Sequence, residues 1–125
     1  GRNPNEDSLV FRLRHGFKTS HTILMTADIE KSGMRSLLAS GQDLKAHVLK
    51  VPHHGGKGGE AAEPFFQAVS PELSLISAGA RNPFRHPARA TLDALEKIPG
   101  NRILRTDETG AIRLSLERDA LLVES

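Results

Sequence analysis

The chain has 125 residues, 38% hydrophobic and 26% charged, which suits one globular domain with a real core. Cysteine is absent, so disulfides and thiolate metal sites are excluded and any metal must rest on His, Asp or Glu. A formal charge of +2, no Trp or Tyr and five Phe permit a polyanionic partner but make a poor stacking platform for single-stranded nucleic acid.

No apolar run approaches the roughly 20 residues that span a bilayer, and GRNPNEDS at the start lacks the charged-then-apolar order of a signal peptide. The first elements expected are two short strands, SLVFRL over 8–13 and HTILMT over 21–26, joined through HGFKT as an antiparallel hairpin. After Asp28, Met34, Leu37 and Leu38 recur at helical intervals until Gly41. AHVLKV over 46–51 is apolar enough for a central strand. A glycine-rich loop leads to a helix around 63–69 and a strand over 73–78. Pro87 is placed to open a helix over 88–98, which Pro99 and Gly100 end. RILRT (102–106) and AIRLSLE (111–117) then read as a closing hairpin around the turn DETG, with LLV (121–123) as an edge strand. This order predicts an α/β structure, a mixed β-sheet with helices packed on it.

The polar candidates follow strands. Asp28 follows the second, His53 and His54 the third, and Asn82 to His86 the fourth. If those strands are parallel neighbours, their carboxyl ends converge on one edge, where α/β sheets hold ligands. Asp28 reads either as a helix N-cap or, beside the histidines, as a carboxylate able to bridge two divalent ions. Adjacent side chains diverge, so one histidine of His53 and His54 ligates a given ion while the other orients a ligand or contacts substrate; spacing does not choose between them. His86 is the candidate to protonate a leaving phosphate oxygen, and Arg81, Arg85 and Arg89 would supply charge. Lys57 lies among Gly55, Gly56, Gly58 and Gly59, but GxxxxGK[ST] is absent, and these glycines read as letting backbone approach substrate. His54, Lys57, Asn82 and Arg85 are the substrate-binding candidates. His15, His21 and His47 carry no assigned role.

Taken in order, SLVFRL, ILMTADIE, AHVLKVPHHG, LSLISAG, N-x3-HP and RTDETGAIRL resemble the C-terminal half of the metallo-β-lactamase-fold domain of the ComEC family of bacterial DNA-uptake (competence) proteins. The resemblance implies half of an αββα sandwich over 1–125, with Asp28 and one of His53 and His54 as ligands of a pair of zinc or manganese ions. Asp28 matches the bridging aspartate of a T-G-D motif in which Ala27 replaces glycine. His86 matches the histidine of N-x-x-G-H-P that faces substrate phosphate, with Arg85 in place of glycine, and Gly56 replaces serine after the histidine pair. The superfamily's H-x-H-x-D-H string does not occur in this chain. The resemblance therefore implies two-metal hydrolysis of DNA phosphodiesters by an intact domain, with this chain inactive and metal-poor by itself. Its implied partners are DNA, the rest of the domain and a membrane channel, and its implied place is a domain outside the cytoplasmic face of a bacterial cell membrane. An open apolar sheet face would allow self-association. The contrasting expectation is a DNA- or partner-binding domain without catalysis.

Overall fold

The computed structural model describes residues 10–16, 20–56, 59–79, 86–116 and 120–124. Lys57, Asn82 and Arg85, three of the substrate-binding candidates, lie outside the described residues, as does the side chain of His53.

Five strands form one mixed sheet in the order β1 (Phe11–His15), β2 (His21–Met25), β3 (Val48–Lys50), β4 (Leu73–Ile76) and β5 (Arg102–Arg105). β1 runs antiparallel to β2, as the hairpin reading expects, and β2 to β5 are parallel. Three helices connect the parallel strands: α1 (Lys31–Ala39), α2 (Ala62–Val69) and α3 (Arg89–Glu96). The molecule is thus α/β with a mixed five-stranded sheet and helices packed on it.

Strand registers explain the apolar runs. Leu24, Leu49 and Ile76 point to the helical side and join Met34, Phe65, Phe66, Val69, Leu92 and Leu95 in the main core. Ile23, Val48, Leu73 and Leu75 point the other way. A strand buried on both faces has no polar face to alternate with, so β3 reads as continuous.

The chain's end departs from expectation. RILRT does not pair with AIRLSLE; β5 joins β4 in parallel, with Ile76 opposite Arg105. The DETG segment is the short helix α4 (Thr106–Thr109) followed by Gly110 at φ 75°, which redirects the chain. The hairpin forms instead between β6 (Arg113–Leu116) and β7 (Leu121–Glu124), a separate two-stranded sheet. Its Leu114, Leu121 and Val123 pack with Ile112 against Ile23, Val48, Leu73 and Leu75. The hairpin therefore covers part of the sheet's second face, while Leu13 and Leu116 stay 43% and 37% exposed. Among the described residues no helix is long and apolar enough to cross a membrane.

Candidate functional site

Parallel pairing of β2, β3 and β4 brings their carboxyl ends to one edge, and among the described candidates Asp28 and His54 meet there. Thr26 follows β2 and is fully buried, and its hydroxyl donates to the Lys50 carbonyl at the end of β3. That bond anchors the turn carrying Asp28. Asp28 does not cap α1: the helix starts at Lys31, behind Glu30 at the N-cap position. The capping explanation fails because the chain turns at Ala27, φ 44°, before it enters the helix.

Pro52–Gly55 forms one turn of 3-10 helix after β3, and within it His54 adopts φ 52°. This left-handed backbone aims the His54 imidazole back along the sheet edge. Its Nδ1 lies 2.8 Å from the Ser77 carbonyl, and its Nε2 lies 3.4 Å from Asp28 Oδ1. A carbonyl can only accept, so this bond places a proton on Nδ1 and leaves Nε2 facing Asp28, where its lone pair can meet a shared cation. Two ligands at about 2.0–2.2 Å from one tetrahedral ion stand roughly 3.3–3.5 Å apart, so this separation suits shared coordination. Without a cation, a proton on Nε2 would give an ion pair instead. The side chains are 53% and 45% exposed, open to solution on one side. Among the described residues no group of three or more potential ligands converges, so Asp28 and His54 stand as a pair.

Among the described residues, Ala27 and His54 are two of the three non-glycine residues with positive φ. Such backbone is unfavourable for L-residues, and its concentration around one carboxylate and one imidazole marks the edge as constrained.

The glycine loop is shaped by packing. At Gly55, φ 78°, a Cβ would meet the Pro87 Cβ at 2.6 Å. The Ala88 amide donates to the Gly55 carbonyl at 2.8 Å, and buried Thr91 donates to the Gly56 carbonyl at 3.0 Å. The start of α3 is thereby fastened to the loop, with His86 immediately before Pro87. Gly55 thus serves the close approach of α3. The N-cap position of α3 is Ala88.

Sequence reasoning passed over Lys50. It shares a face with Met25, Leu75 and Leu104 in the strand register, and burial pushes its ammonium below the usual lysine range while Asp28 pulls it back up. A charge inside the continuous apolar run AHVLKV was the available signal. His21 and His47 lie at the opposite, amino ends of β2 and β3, where the Thr22 amide donates to His47 Nδ1. Helix cations are paired: Arg89 with Asp93 and Glu96, Lys97 with Glu63, and Lys31 and Arg35 with Glu60.

No protein-family model and no solved structure matches the chain. Among curated proteins, it is 38% identical to ComE operon protein 3 of Bacillus subtilis over 87% of the chain and 13% of that protein. It is 34% identical to competence protein ComA of Neisseria gonorrhoeae over 91% of the chain and 16% of that protein. Recombination protein 2 of Haemophilus influenzae is 26% identical over 98% of the chain and 15% of its own length. The chain thus spans only a small part of the relatives it matches. Over most of its length it is similar to one segment of the competence proteins, which are its homologues.

Proposed function

We propose that the chain supplies part of a divalent-metal site that hydrolyses DNA phosphodiesters during DNA uptake, as the C-terminal half of a metallo-β-lactamase-like domain. The observation that carries this reading is His54, its Nδ1 bonded to Ser77 and its Nε2 3.4 Å from Asp28. A carbonyl behind a histidine whose second nitrogen faces a carboxylate is the usual support of a metal-ligating imidazole. The competence proteins among its homologues support the DNA-uptake context.

Divalent ions, when bound, supply an activated water and neutralise charge on the phosphate oxygens. In this reading Asp28 and His54 hold them, with His53 as a further candidate ligand, and Lys50 adds positive charge to the same edge. His86 gives its proton to the leaving oxygen as the phosphorus–oxygen bond breaks. Lys57, Asn82 and Arg85 contact the substrate. The remaining ligands come from an H-x-H-x-D-H segment elsewhere in the intact domain, so this chain by itself binds metal weakly and does not turn over DNA. The domain is tethered through the rest of a membrane protein, on the extracytoplasmic side.

The rival reading, a DNA-binding surface without catalysis, draws less support because the helix cations are committed to carboxylates. Zinc titrated into the chain should give saturable NMR shifts confined to Asp28, His54 and residues 77–79, lost in Asp28→Ala. A response scattered over the surface, or none, would overturn the metal site. Salt-sensitive DNA binding that survives Asp28→Ala would favour the rival.

A further inference from the structure

The segment RTDETG has no role in the site as described, although the parallel docking of β5 brings it there. With Ile76 opposite Arg105, Thr106 falls beside the chain leaving β4. The Thr106 hydroxyl accepts from the Ala78 amide at 2.8 Å and donates to the Ala78 carbonyl at 2.9 Å. The Ala78 amide and the Ser77 carbonyl belong to one planar peptide unit. On the other side of that unit, the same Ser77 carbonyl receives His54 Nδ1 at 2.8 Å.

We propose that Thr106 is a positioning residue for His54. It acts through the Ser77–Ala78 peptide, and its significance for metal rests on the reading above. The chain runs from His54 Nδ1–H to the Ser77 carbonyl, through the peptide to the Ala78 N–H, then to Thr106 Oγ1 and from its proton to the Ala78 carbonyl. Every donor and acceptor in it points one way, so each bond polarises the next. The peptide plane has one orientation that satisfies both ends, and this orientation keeps the proton on Nδ1 and the lone pair on Nε2.

Thr106 itself is held from two sides. Its carbonyl accepts from the Gly110 amide at 3.0 Å, closing α4. The next residue, Asp107, is gripped by Arg105 through bonds of 3.1 and 2.7 Å. Capping does not explain the hydroxyl, because the N-cap position of α4 is Arg105 and has no side-chain cap bond. The motif therefore forms a rigid corner whose one inward hydroxyl sets a peptide, and through it an imidazole.

The test reads the tautomer of His54 by ring-nitrogen NMR at about pH 8.5, above the ordinary histidine range. It compares the wild type, Thr106→Val and Thr106→Ser without metal, followed by zinc titration of each. The wild type and Thr106→Ser should hold one tautomer with the proton on Nδ1, and Thr106→Val should show exchange between two. Zinc affinity should fall roughly tenfold in Thr106→Val and return in Thr106→Ser, as expected for a group behind a ligand. A wild type with its proton on Nε2 overturns the proposal even if Thr106→Val does not fold, as does an identical tautomer in all three proteins. Loss of the single tautomer in Thr106→Val, with no zinc response in the wild type, would uphold the positioning role and overturn the metal reading instead.

Discussion

Gly55 and Pro87 pack so closely that a methyl group on the glycine would lie 2.6 Å from the proline Cβ. This contact, together with the Ala88 amide on the Gly55 carbonyl, joins the loop carrying His54 to the helix that follows His86. Gly55→Ala should combine a left-handed backbone penalty with an overpacked contact, about 2–4 kcal/mol in all. Urea denaturation would measure it, and a loss below about 1 kcal/mol would mean that the loop and helix separate easily.

Ala27 adopts φ 44° where the resembling motif has glycine. Ala27→Gly should relieve that strain at the expense of a more flexible unfolded chain, for a net gain of about 0.5–1 kcal/mol. A destabilised variant would show that the Ala27 methyl packs more usefully than its backbone angle suggests. Metal affinity should be unchanged if Asp28 is held by the Thr26 bond to Lys50 rather than by the residue between them.

Lys50 carries an ammonium whose charged form is disfavoured chiefly by burial among Met25, Leu75 and Leu104. Lys50→Met keeps the aliphatic length and removes the charge, so the fold should gain up to about 1 kcal/mol. Thermal denaturation at neutral pH checks the direction. If Lys50 serves the phosphate edge, the same variant should weaken DNA hydrolysis in an intact domain while leaving zinc binding in place.

Asp107 is held below the usual carboxylate range, first by its hydrogen bonds from Arg105 and then by the charge of that guanidinium. A depressed carboxyl binds fewer protons folded than unfolded near its ordinary value. Its contribution is therefore fully present above about pH 4 and is lost as pH falls through the lowered folded value. Asp107→Asn should be less stable than the wild type by under about 1 kcal/mol at neutral pH, with the gap closing in acid. Denaturation midpoints of both proteins from neutral pH down into acid would follow it; a gap that does not narrow would assign the loss to packing.

The order of strands and helices was legible in the sequence because apolar periodicity is local. So was the meeting of Asp28 and the loop carrying His54 at one edge, since each follows a strand of the same α/β pattern. The partner of RILRT was not legible. A strand's own residues do not state whether it pairs with its neighbour in the chain or with one across a helix, and here β4 offered the buried edge. The choice between His53 and His54 was equally hidden, because adjacent side chains have the same spacing from everything else. What the structure adds is the placement of His54, whose left-handed backbone turns Nδ1 to Ser77 and Nε2 to Asp28. Composition and periodicity determined which chemistry could gather at the edge. Only the tertiary structure, through backbone dihedrals and hydrogen bonds between distant segments, decided that the His54 imidazole meets the Asp28 carboxylate and that Thr106 stands behind it.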